Sequence, residues 1–201
     1  FDKNYPADFI AEGLDQTRGW FYSLINLGVG LFDKAPYKHV IVNGLVMSES
    51  GAKLSKSEKN YTDPMVLVEK YGADAMRYAL ISSPVVKGEN LLLGDESISD
   101  VYKKLISRLD NVVLLYEMNK PEKLNASTDS KDILDIWMIS RVNELVRNST
   151  NGYEAFKLDE ATRGIESIID DISVWYTRRS RDRLKGDSGV AKQLEAYETL
   201  T

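Results

Sequence analysis

Two lysines three residues apart, Lys53 and Lys56, stand in a run of small and hydroxyl-bearing residues, Gly51-Ala52-Lys53-Leu54-Ser55-Lys56-Ser57. An ammonium on a flexible four-carbon stem can follow phosphate charge as it develops, and a neighbouring glycine lets the backbone swing. The segment therefore has the makings of a cationic finger that closes over a triphosphate. The same composition also describes an ordinary solvated loop, since lysines in polar loops are common. Upstream, Glu12 and Asp15 follow an apolar run, where their carboxylates can cap the helix that comes next. Trp20 has the residue type of a core position. Near the other end, Arg178, Arg179, Arg181 and Arg183 form a cationic stripe. Clustered guanidinium groups pair well with nucleic-acid phosphates, and they are equally well placed in the last turn of a helix, at its negative end.

Composition narrows the chemistry. The 201 residues contain no cysteine and one histidine, His39, so a cysteine zinc site, a disulfide and a Cys-His nucleophilic pair are excluded within this chain. His39 has no partner histidine with which to share a metal and receives no role; no protein-bound metal is expected. The net charge of -5 and the pI near 5.1 argue against a uniformly nucleic-acid-binding surface, so any RNA contact must be local. The longest apolar stretch, Leu24 to Phe32, is interrupted by Asn26, Gly28 and Gly30 and falls short of the roughly 20 residues of a membrane span. With no basic leader and cleavage site, the expectation is a soluble, cytoplasmic protein without a membrane partner. The chain opens on Phe1-Asp2-Lys3 without an initiator methionine and stops inside a predicted helix, as an internal piece of a longer protein would.

The elements that must hold these residues come in two groups. Residues 7–13 read as a short buried strand closing on Gly13, and residues 17–32 as a helix apolar on nearly all sides, which predicts that it is largely buried. Val40-Ile41-Val42, within residues 39–43, is a short β-branched run of the kind found in central parallel strands. Strand, helix, strand implies a right-handed parallel crossover. The polar residues 48–62 then form a loop beyond the second strand, the position that ligands of parallel sheets favour. Asp63-Pro64 predicts a helix start and Gly72 its end, with a second helix over 73–82 and irregular or weakly extended chain over 84–94. From Ile98 the pattern changes: Val101, Leu105, Leu109, Val112 and Tyr116 follow at steps of three and four. A polar linker over 119–130 and two further stripes, Leu134 to Leu145 and Leu158 to Trp175, predict a helical bundle. The boundary falls near residue 93, giving regions 1–92 and 93–201.

Lys53-Leu54-Ser55-Lys56-Ser57 resembles the KMSKS loop of class I aminoacyl-tRNA synthetases, with leucine in place of the usual methionine. Glu12-Gly13-Leu14-Asp15-Gln16-Thr17-Arg18-Gly19-Trp20-Phe21 resembles the segment by which the isoleucyl members bind the aminoacyl-adenylate. Valyl, leucyl and methionyl members carry different sequences there. The likeness continues through Val42-Asn43-Gly44-Leu45-Val46, Tyr71 to Arg77 and Trp175 to Arg181, covering essentially the whole chain. Asn43 stands where many bacterial members have histidine, which points to the eukaryote-like branch.

The resemblance implies an α/β plus all-α protein: the second half of a Rossmann-type parallel-sheet catalytic domain (1–92), then the start of a helical anticodon-binding domain (93–201). It also implies that Glu12, Gly13, Asp15 and Gln16 line the adenylate pocket. Trp20 would pack on the isoleucine side chain, and Asn43, Gly44, Leu45 and Val46 would lie against the adenine. Lys56 would meet the phosphates, with Lys53 and Ser55 ordering the loop. The substrates would be L-isoleucine, ATP carrying Mg2+, and tRNA(Ile). The HIGH motif of the first catalytic half and the editing domain do not occur in this chain, so the 201 residues alone are expected to be inactive. The competing reading is a non-catalytic tRNA-binding or scaffold module derived from such an enzyme.

Overall fold

The structure, a computed structural model, describes residues 4–48, 51–52, 62–121 and 130–201. Its internal packing divides the chain into two units: residues 1–98 with 154–159, and residues 99–153 with 160–201.

In the first unit, β1 (Ala7–Gly13) and β2 (Tyr37–Asn43) lie parallel, paired from Ala7 opposite Tyr37 to Gly13 opposite Asn43. Parallel strands need a crossover, and α1 (Trp20–Phe32) supplies it after a 3-10 turn at Leu14–Arg18. The predicted helix over 17–32 therefore starts later than its apolar pattern indicated. Nor is it largely buried. Only Phe21 and Gly28 are buried in α1, whereas Trp20, Tyr22, Leu27 and Leu31 are about half exposed or more. The reason is geometric: the helix seats one face through Gly28, where a Cβ would meet Tyr5, Lys34 and Pro36 at 2.7 to 3.0 Å, and among the described residues nothing covers the opposite face.

Beyond β2 the chain enters a second parallel pair, β3 (Val46–Met47) with β4 (Leu91–Leu92), a short strand within the stretch read as irregular or weakly extended. Gly44 makes this possible. Its N–H donates to the Val85 carbonyl at 2.8 Å, and a Cβ on it would lie 1.7 Å from the Glu89 carbonyl oxygen. Between these strands, α2 (Pro64–Tyr71) begins as predicted, with the Asp63 carboxylate accepting from the Met65 N–H at 2.8 Å and proline in the first turn. Gly72, at φ 86°, separates α2 from α3 (Ala73–Ile81), whose Ala75, Met76 and Ala79 are buried. Asp95 accepts from the Lys70 ammonium and the Tyr71 hydroxyl, at 2.8 and 2.9 Å, tying the start of α4 (Asp95–Val101) to the end of α2. Residues 154–159 also belong here: the Phe156 ring lies 5.2 Å from Phe9 and 4.6 Å from His39, which are paired neighbours on β1 and β2. His39 is thus in contact with a ring.

The second unit is helical. A π-helical segment, Tyr102–Ile106, leads into α5 (Ser107–Asn119), and α6 (Ile133–Glu154) is the longest helix. The third predicted stripe is broken into α7 (Leu158–Thr162), α8 (Ile165–Asp170), a second π-helical segment at Asp171–Tyr176, and α9 (Thr177–Arg179). Then come α10 (Arg181–Leu184) and α11 (Val190–Leu200). Gly152 lets α6 approach α7, because a Cβ there would lie 2.6 Å from the Ala161 nitrogen. Leu184, Ala196 and Tyr197 form a buried cluster completed by Leu115, Tyr116 and Leu200.

Placing a methyl group at Gly44 must displace backbone, which costs about 3 kcal/mol, whereas Gly30 in α1 has open space around it. Gly44→Ala should lower stability in chemical denaturation by roughly that amount. Gly30→Ala should leave stability unchanged or raise it by up to about 1 kcal/mol through helix propensity.

Candidate functional site

The carboxyl ends of β1 and β2 lie side by side because the strands are parallel and in register. Glu12 is opposite Val42 and Gly13 opposite Asn43, so two stretches singled out in the sequence 30 residues apart share one strand edge. Glu12 and Asp15 are exposed there, and Asn43, Gly44 and Val46 are partly buried while Leu45 is exposed. The chain turns away from this edge in the 3-10 segment, held by the Thr17 hydroxyl donating to the Leu14 carbonyl at 2.8 Å. A Cβ on Gly13 would lie 2.7 Å from an Asp15 carboxylate oxygen, so a larger residue there would move the Asp15 side chain. Trp20 opens α1 at this same edge. It is 49% exposed among the described residues.

On the β2 side, the segment after Asn43 is held by residues that sequence reading did not single out. The Leu45 N–H donates to the Asn90 side-chain oxygen at 3.3 Å, and the Leu91 N–H donates to the Leu45 carbonyl at 2.9 Å. The only local signal was Gly88, at φ 82°, marking a turn just before Asn90. After β3, Ser48 receives the chain back: its N–H and hydroxyl both donate to the Ala52 carbonyl, at 2.9 and 3.2 Å, immediately before Lys53. Lys53, Ser55 and Lys56 themselves lie outside the described residues. Among the described residues no group of three or more histidine, aspartate or glutamate side chains could hold a metal ion. None of their helices is long and apolar enough to cross a membrane.

The arginine stripe divides. Arg178, Arg179 and Arg181 are exposed, and the Arg179 guanidinium stacks 4.4 Å over the Trp175 ring. Arg183 turns inward. Its side chain is 11% exposed and grips the fully buried Asp135 with both nitrogens, at 2.9 and 2.5 Å, with Asp132 at 3.2 Å. The Tyr176 and Ser130 hydroxyls also donate to Asp135, at 2.8 and 2.6 Å. This carboxylate therefore accepts four hydrogen bonds, the condition under which a buried charge is tolerated. Burial first, and then the bond to Asp135, push the Tyr176 hydroxyl well above the usual phenol range.

The whole chain superimposes on solved class I synthetases. It matches a Mycobacterium tuberculosis methionyl-tRNA synthetase in complex with methionyl-adenylate with a TM-score of 0.75 at 22% identity, covering 100% of this chain and 40% of that one. It matches a leucyl enzyme of Agrobacterium radiobacter K84, in a ternary complex with tRNA, with a TM-score of 0.65 at 19% identity over 97% of this chain and 25% of that one. The profile "tRNA synthetases class I (I, L, M and V)" matches residues 1–92, and "Anticodon-binding domain of tRNA ligase" matches residues 135–201. The fold is that of a class I aminoacyl-tRNA synthetase: part of its catalytic domain, followed by its anticodon-binding domain.

Along its full length the chain is 41% identical to cytoplasmic isoleucine–tRNA ligases of Caenorhabditis elegans and Mus musculus, and 41% identical to the isoleucine–tRNA ligase of the bacterium Treponema denticola. The chain belongs to the isoleucine–tRNA ligase family. It spans about a fifth of the length of these relatives, between 17% and 20%.

Removing the Asp135 carboxylate strands a nearly buried guanidinium, and breaking a buried pair in this way costs about 3–5 kcal/mol. Asp135→Ala should therefore unfold the second unit at markedly lower denaturant, whereas Arg178→Ala should stay within about 0.5 kcal/mol of the parent.

Proposed function

We propose that this chain works as part of an isoleucine–tRNA ligase that activates L-isoleucine with ATP and transfers it to tRNA(Ile). The observation that carries this reading is the shared strand edge. It sets the adenylate-type segment, Glu12 to Trp20, against Asn43 to Val46, in a fold common to synthetases that hold aminoacyl-adenylates. In the first step an isoleucine carboxylate oxygen attacks the α-phosphorus of ATP. The bond to the bridging oxygen breaks, and pyrophosphate leaves with the magnesium that accompanies ATP. In the second step a ribose hydroxyl at the 3′ end of the tRNA attacks the carbonyl carbon, and AMP leaves.

The chain's contribution is position and charge. Glu12 holds the α-amino group or the adenylate, Gly13, Asp15 and Gln16 form the adjoining wall, and Trp20 packs on the isoleucine side chain. Asn43 to Val46 lie against the adenine. Lys56 stabilises charge on the phosphates, with Lys53 and Ser55 ordering their loop, whose closure is a gating step. Ser48 holds the Ala52 carbonyl next to Lys53 through its N–H and its hydroxyl. Arg178, Arg179 and Arg181 remain available to tRNA phosphates, while Arg183 serves the packing around Asp135. The HIGH-type half and the editing domain would come from the rest of the ligase, and the exposed apolar residues of α1 accord with such a docking partner. The reaction is placed in the cytoplasm.

In the complete ligase, Lys56→Ala should lower isoleucine-dependent pyrophosphate exchange by about 100-fold or more, the usual scale for losing a group that stabilises transition-state charge. Circular dichroism should be unchanged; exchange at the parent rate would reject the role. The 201 residues by themselves should charge no tRNA.

A further inference from the structure

Residues 154–159 lie in the stretch that matches the anticodon-binding profile, yet they pack with the first unit, although most of α6 and the end of α7 belong to the second. The two ends of this excursion are pinned to each other within the second unit. The Ser149 hydroxyl donates to the Ala161 carbonyl at 2.6 Å, and a Cβ on Gly152 would lie 2.6 Å from the Ala161 nitrogen. Between these pins Phe156 has φ 57°, a left-handed backbone that a residue other than glycine keeps only where its surroundings hold it. Its ring supplies the contacts. The Phe156 centroid lies 5.2 Å from that of Phe9 and 4.6 Å from that of His39, with the ring planes inclined by 40° and 34°. Phe9 and His39 are partners across the parallel pair, so one ring touches both strands at the same rung. A second attachment follows three residues later, where the Asp159 carboxylate, its side chain 12% exposed, lies 2.6 Å from the Lys87 ammonium. Lys87 closes the 3-10 turn Pro84–Lys87, whose Val85 carbonyl accepts the Gly44 N–H. The segment thus bears on β1, on β2 and on the turn that holds the chain just past β2.

We propose that Phe156 is a positioning residue for adenylate formation: by bridging Phe9 and His39 it fixes the carboxyl ends of β1 and β2 relative to each other. This rests on the reading of the strand edge as the adenylate pocket. Phe9 precedes Glu12 by three residues and His39 precedes Asn43 by four, roughly 10–13 Å along a strand, so the ring acts through the strands. The consequence differs between ligands. Isoleucine is held at the β1 end and the adenine of ATP at the β2 end, and each alone can follow its own strand. The adenylate joins both in one molecule and needs the two ends in one fixed relation, as does any ligand gripped at two points. Loss of the bridge therefore weakens the joined ligand and largely spares the separate ones.

The test measures, by calorimetry in the complete ligase, the affinities for isoleucine, for ATP and for an isoleucyl-adenylate analogue with a sulfamoyl group in place of the phosphate. Phe156→Ala should weaken the analogue about tenfold, within the range of coupling between contacting residues, while isoleucine and ATP each stay within about twofold of the parent. Phe156→Tyr keeps the ring and should bind all three as the parent does. Phe156→Gly removes the ring but frees the backbone from its left-handed constraint, so it should fold at least as well as Phe156→Ala and lose the same affinity, which separates the ring from stability. Equal weakening of all three ligands, or an unaltered affinity for the analogue in both ringless variants, would overturn the proposal. Glu12→Gln checks the pocket itself. If it leaves the analogue at the parent affinity, the reading of the edge as the adenylate pocket fails; if it weakens the analogue and the ringless variants do not, the edge stands and the role of Phe156 is rejected.

Discussion

The first unit depends on the in-register parallel pairing of β1 with β2. Parallel order brings two carboxyl ends to the same side, and the register decides which residues meet there: Glu12 beside Val42 and Gly13 beside Asn43. A slip of one residue would turn every side chain of one strand to the opposite face. The crossover helix follows from the same pairing, since parallel neighbours cannot be joined by a tight turn.

The second unit rests on a different kind of constraint. Its stripes of apolar residues predict helices, but their arrangement near the N-terminus of α6 is organised by a buried carboxylate. Asp135 joins Ser130, Tyr176 and Arg183, which lie up to 53 positions apart in the chain, in one hydrogen-bonded cluster. Such a cluster is less a source of net stability than a penalty for any arrangement that leaves a member unpaired. It also sorts the arginines: the one that serves as counter-ion points inward, and its three neighbours stay in solvent.

Elements with a local cause were legible, although β1, read as a buried strand, has only Ile10 buried. Asp63-Pro64 supplies a cap and a fixed φ, Gly72 a positive φ, and Val40-Ile41-Val42 a β-branched run. Three features were not legible. The apolar circumference of α1 indicated burial on all sides, yet periodicity reports what a helix could bury and not what is present to cover it. The third stripe was read as one long helix, although it is interrupted near Gly164 and passes through a π-helical segment. The contact of Phe156 with Phe9 and His39 joins residues over 110 positions apart, and no local pattern encodes it.

What the sequence determined by itself was the family resemblance and most of the local elements, because caps, glycines and hydrophobic periods act over a few residues. Tertiary structure alone decided which groups share an edge, that Gly44 must accept the backbone of residue 89, that Gln16 spans from Asp15 to the start of α1, and that Arg183 belongs to Asp135. Those outcomes depend on distances between groups whose separation along the chain carries no information about their separation in space. They are set only when strand register and helix packing together fix which groups meet.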